Sequence, residues 1–113
     1  MNIERYSFGK IVIDGQAYTA DVIIFPDRVY SSWWRKEGHK LHPADLTDVI
    51  REKPEILLIG TGYSGLMSVP EETVLHLESQ GIEVRIERTA RAVDLFNQMQ
   101  QNKKVIAAFH LTC

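Results

Sequence analysis

Two stretches of this chain carry residue types and spacings that could do chemistry. The first is Gly60-Thr61-Gly62-Tyr63-Ser64-Gly65, directly after the apolar run Ile56-Leu57-Leu58-Ile59. Its letters match the dinucleotide fingerprint G-x-G-x-x-G, in which glycines let backbone approach a pyrophosphate. Thr61 and Ser64 add hydroxyls, and successive loop amides can form a nest for a small anion. The second stretch is Trp33-Trp34-Arg35 followed by His39. An exposed tryptophan beside an arginine is a frequent composition of interface hot spots.

Each signal has a plainer reading. A dinucleotide loop opens straight into a helix whose amides and dipole hold the phosphate. Here Leu66 to Val69 intervene, and Pro70 cannot sit inside a helix begun near Gly62. Glu87 and Arg88, at the end of the next strand, stand where a ribose acid or a 2′-phosphate partner belongs. No second mononucleotide half accompanies them. The plain reading is that the glycines turn the chain and let the loop pack tightly. For the tryptophans, strand geometry predicts opposite faces, with one ring in the core and the other near the surface. Arg35 is expected to flank Trp34 near the sheet edge.

The remaining chemistry is sparse. His39, His42, His76 and His110 show no metal-ligand spacing with acids or cysteine. Ser64 lacks the closing glycine of a nucleophile elbow. No catalytic residue, metal or cofactor is assigned. Asn97 borders the apolar stripe of a helix and is read as structural.

The elements that must position these residues follow from periodicity. Lys10–Ile13 and Ala17–Phe25 flank Asp14-Gly15, whose positions both favour positive φ, as a hairpin requires. Val29 to Trp34 is rich in strand formers. A helix is expected from Pro43 to Arg51, with Leu46, Val49 and Ile50 as its stripe and Pro54 as its stop. A second helix is expected from Ser68, through a capping box with Glu71, to a stop at Gly81. Thr89 should cap a third, with stripe Ala92, Val93, Phe96 and Met99. The apolar strands 55–59 and 105–109 read as buried. Ile82 to Glu87 alternates and reads as an outer strand. Its two crossover helices then lie on opposite faces of the sheet. The fold class is α/β: one three-layer domain over residues 1–113. It has a mixed sheet, a βαβαβ C-terminal half and an N-terminal antiparallel hairpin.

Composition narrows the classes. The 113 residues carry a formal charge of −2, which argues against a non-specific nucleic-acid binder. No apolar run reaches the roughly 20 residues that cross a bilayer. The lone Cys113 excludes an intrachain disulfide. Met1 to Arg5 has neither an apolar signal core nor a transit pattern. A cytoplasmic domain is expected.

Three segments, in order and spacing, resemble a known family of small α/β domains. They are Trp33-Trp34-Arg35 with His39 and Asp45; Glu55 to Gly62; and Thr89, Ala92, Phe96 and Asn97 with Val105 to Leu111. The family includes a mitochondrial respiratory complex I assembly factor and the adipogenesis-associated domain protein. The chain departs from it at Asp94-Leu95-Phe96 and at Gln100 to Lys104. The resemblance implies a compact single α/β domain with a mixed sheet and no known reaction; many prokaryotic relatives have no assigned activity, and the mitochondrial member acts through protein partners.

The leading expectation is therefore a non-enzymatic protein-binding or assembly domain. The alternative is a small-molecule or anion-binding protein, or an enzyme, using Gly60 to Gly65. The expected ligand or partner surface is Trp34, Arg35, His39, Gly60, Thr61, Gly62 and Ser64. Self-association is left open.

Overall fold

The computed structural model describes residues 1–113. Strands β1 (Ile3–Ser7), β2 (Lys10–Ile13) and β3 (Gln16–Tyr18) form an antiparallel sheet in that order. Asp14 and Gly15 join β2 to β3 with φ of 49° and 79°. That is the twist a two-residue hairpin needs. The apolar run 17–25 does not stay one strand. It breaks before Asp21, and β4 (Val22–Ile24) leaves the hairpin to join a second sheet with β5 (Val29–Ser31). Ser32, at φ 58°, ends β5, so both tryptophans lie beyond the strand rather than on it.

A 3₁₀ turn, Pro43–Leu46, runs into α1 (Thr47–Glu52). Lys53 closes the helix in the left-handed region just before Pro54. Then come β6 (Ile56–Gly60), α2 (Glu71–Ser79), β7 (Glu83–Glu87), α3 (Thr89–Met99) and β8 (Val105–Phe109). Two expected caps differ. The cap of α2 is Pro70, and the hydroxyl of Ser68 instead donates to the carbonyl of His39. The cap of α3 is Arg88; Thr89 is its first residue and is fully buried.

The second sheet has order β5-β4-β8-β6-β7. β6 is parallel to both β7 and β8, while β4 is antiparallel to β5 and β8. The outer place of β7 and the central place of β8 follow from their sequences. Every residue of β6 and β8 is buried, whereas β7 is mixed. Two cores flank the sheet. Ile56 and Leu58 of β6 pack with Ala92, Val93 and Phe96 of α3 and with Ile3, Ile11 and Ile13 of the small sheet. Leu57 and Ile59 face the other way, onto Leu46, Val49 and Leu77. The two crossover helices thus lie on opposite faces. The hairpin sheet shares the α3 layer, and β4 and β5 extend the main sheet.

Candidate functional site: a closed glycine loop, a buried ionic cluster and an exposed tryptophan

The glycine loop leaves the carboxyl end of β6, where open α/β sheets usually hold ligands. Its own chain fills that position. The amide of Thr61 donates to Glu87, that of Gly62 to the Thr89 hydroxyl, and those of Tyr63 and Leu66 to the carbonyls of Thr112 and Cys113. The Thr61 hydroxyl also donates to the Glu87 carbonyl. A side chain on Gly60 would place its Cβ 2.8 Å from both the Phe109 ring and the Thr89 oxygen. At Gly62, with φ 111°, it would lie 2.6 Å from the Cys113 backbone. Close packing against residues 109–113 accounts for both glycines. The amides an anion nest would present are largely engaged, and α2 begins only at Glu71. Ser64 is exposed at the loop tip.

Arg35 is not at an edge. Its side chain is 4% exposed, with Nη1 2.8 Å from Asp21 Oδ2. The same oxygen stands 2.8 Å from His110 Nδ1, and Asp21 Oδ1 accepts from the Leu111 amide. Arg35 Nη2 donates to the Gly38 carbonyl, and the guanidinium lies over the Trp33 ring at 4.7 Å. The physical reason is alternation. The extended chain after Ser32 buries Trp33 and Arg35 and exposes Trp34 and Lys36. Period two therefore places Arg35 with Trp33, not with Trp34.

Burial by itself would raise the pKa of Asp21. Hydrogen bonds from His110, the Leu111 amide and Arg35 outweigh it and hold the carboxyl below its ordinary value. Tyr6, whose hydroxyl donates to the Leu111 carbonyl, is pushed up to about 12 by burial and by the nearby charges of Tyr63 and Asp21. His39 is exposed and packs edge-on to the His110 ring at 5.4 Å. None of the surface clefts is lined by Asp21, Arg35 or His110. The cluster therefore ties the 33–41 segment to the end of β8. Asp21 was missed from sequence, and Thr89 was read there only as a helix cap. Thr89 links the loop to β8, accepting from Gly62 and donating to His110. An acid inside the apolar run 17–25 was the available signal for Asp21.

Trp34 is the most exposed large apolar side chain, at 74%. With Tyr30 it borders a groove of about 380 Å³ that also touches Ile23, Trp33, Lys36 and Asp48. The groove lies beside β5, an edge strand. Phe25 donates to Arg28, which makes Ile23 and Tyr30 the next bonded pair. The backbone groups of Val29 and Ser31 therefore point away from the sheet.

The structure thus defines a single mixed-sheet α/β domain with closed strand ends and one aromatic edge groove. The chain belongs to the family described as "Protein of unknown function (DUF498/DUF598)", whose model matches residues 3–110. It is similar to a conserved hypothetical protein of Pyrococcus horikoshii OT3. That match has 31% identity over 100% of both chains and a TM-score of 0.86. An outer membrane protein from Bartonella henselae matches at 26% identity and TM-score 0.83, over 98% of this chain and 94% of the other. A Mth938-like domain of Bordetella pertussis shares the fold, at 22% identity and TM-score 0.67, over 97% and 85%. No helix of this chain is long and apolar enough to cross a membrane.

Proposed function

We propose that this domain is a non-enzymatic protein-binding module that docks a partner segment along β5 and over Trp34. The observation that carries the reading is Trp34 itself, 74% exposed above an aromatic groove beside unpaired strand edge. Adding a strand to such an edge gives affinity through backbone bonds, and a side-chain pocket gives specificity. The occupant is an extended segment with an apolar anchor for the Trp34–Tyr30 groove and a basic residue. Asp45 and Asp48 outnumber Lys36 on the groove wall, which favours that charge. The resemblance to a complex I assembly factor supports action through protein partners. A cytoplasmic setting is part of the same proposal.

The test is a photo-crosslinking residue at position 34, compared with one at the exposed His76 on α2. Purified partner captured only at 34 is then titrated against wild type and Trp34→Ala. Binding should weaken about 30-fold or more, the scale of an aromatic hot spot, with melting unchanged. Equal affinity of the variant, or a collapse of its stability, refutes the reading.

A further inference from the structure

The other edge of the sheet is β7, and nothing covers its open side. Glu83 donates its amide to Glu55, and Glu87 accepts from Thr61. The backbone groups of Glu83, Arg85 and Glu87 thus face β6, and those of Val84 and Ile86 face outward. Ile86 is 42% exposed. The side chains of Glu83, Arg85 and Glu87 alternate in sign, and none of them forms an ion pair. Charged side chains, proline or a bulge guard many edges against pairing. This edge has neither proline nor bulge, and its charges are of both signs, so they can complement a second strand.

We propose that β7 pairs antiparallel with β7 of a second copy, with Ile86 on the two-fold axis, joining two five-stranded sheets into one. The two Ile86 residues then exchange both of their outward backbone bonds. Arg85 falls opposite the partner's Glu87, and Glu87 opposite the partner's Arg85. These are non-bonded ladder positions, where opposed side chains come closest. Arg85 and Glu87 share the α3 face, because Arg85 is in register with Leu58. Ile86, in register with Ile59, meets its copy on the α2 face.

Charge and exposure together select this register. Centring the pair on Arg85 would oppose two arginines and set Glu83 against Glu87. Centring it on Val84 would also oppose unlike charges, Glu83 and Arg85, but would put the half-buried Val84 on the axis in place of the exposed Ile86. Each of the two registers meets one engaged backbone group at its end, the Ile82 amide or the Arg88 carbonyl, so the exposed Ile86 decides between them. The contact is isologous and closes after two copies, since pairing consumes the only β7 edge each copy has.

The test is sedimentation velocity under reducing conditions, which keep Cys113 from linking copies. Wild type should dimerise with rising concentration. Arg85→Glu and Glu87→Arg each turn two attractive pairs into repulsive ones, and each should weaken the dimer about tenfold or more. An equimolar mixture of the two variants should restore a one-to-one dimer, because every cross-strand pair is again of opposite sign. The double variant Arg85→Glu/Glu87→Arg should also self-associate, which guards against a fold defect in either single variant. A wild type that stays monomeric to about 1 mM overturns the proposal, since that bounds the association to a few kcal/mol. Single variants that dimerise like wild type, or a mixture that stays monomeric, overturn it as well.

Discussion

At the scale of single residues, the chain keeps its one buried ion pair with an aspartate that hydrogen-bonds in three directions. Removing one partner of such a pair leaves an uncompensated charge away from water. Arg35→Ala should therefore lower stability by about 3–5 kcal/mol in chemical denaturation. The same geometry sets an acid limit. The folded pKa of Asp21 lies below its unfolded value. Its contribution is thus fully present above the unfolded pKa and disappears as pH falls through the folded one. Asp21→Asn should be less stable at neutral pH but show a flatter loss of melting temperature on acidification. A parallel acid profile for both proteins would show that Asp21 does not carry this sensitivity. From sequence, Arg35 is expected beside Trp34 at the sheet edge; alternation from a buried Trp33 instead turns it inward onto Asp21. Asp21 was harder to see, because a run of strand formers hides the break that frees its side chain from the ladder.

At the scale of elements, long-range side-chain bonds replace the local caps that the sequence suggested. Ser68 and Glu71 have capping-box spacing, yet Pro70 fixes the start of α2 and releases Ser68 to bond the His39 carbonyl. Spacing alone cannot distinguish the two uses of that hydroxyl. Asn97 shows the reverse case, where a structural reading from the stripe of α3 meets a specific partner. Its oxygen accepts from the Ile3 amide at 3.0 Å, and its nitrogen donates to the Ile3 carbonyl at 2.8 Å. Asn97 thus stitches β1 to α3 across a sequence separation of 94 residues. Asn97→Ala leaves both Ile3 groups without that partner and should cost about 1–3 kcal/mol. Gly60→Ala tests the packing account of the glycine loop. Its Cβ would meet the Phe109 ring and the Thr89 oxygen, both buried and both held in place. A loss of about 1–3 kcal/mol is expected in urea unfolding. Stability equal to wild type would reopen the loop to a ligand-binding explanation.

At the scale of the whole molecule, burial pattern decided strand order. Strands apolar on both faces had to be central, and an alternating strand had to be outer, which places β8 and β6 inside and β7 at the edge. The sequence left two placements for the hairpin, as an extension of the main sheet or as a second antiparallel layer over it, because period-two patterning says which face a residue takes but not which sheet its strand joins; β1–β3 take the second. The same order predicts a graded pattern of backbone protection. Amides of Ile106, Ala107 and Ala108 lie in the central strand with neighbours on both sides. They should exchange with deuterium only through global unfolding. Along β7 protection should instead alternate. Glu83 and Arg85 donate toward β6 and should be slow, whereas Val84 and Ile86 face outward and should be fast in dilute solution. Raising the protein concentration should then slow Ile86 in step with association, while Arg85 stays unchanged. Residue-resolved exchange by NMR reads both trends. A slow Ile86 amide at the lowest concentration would mean that its backbone is already paired within one copy, contradicting the outward parity of the edge.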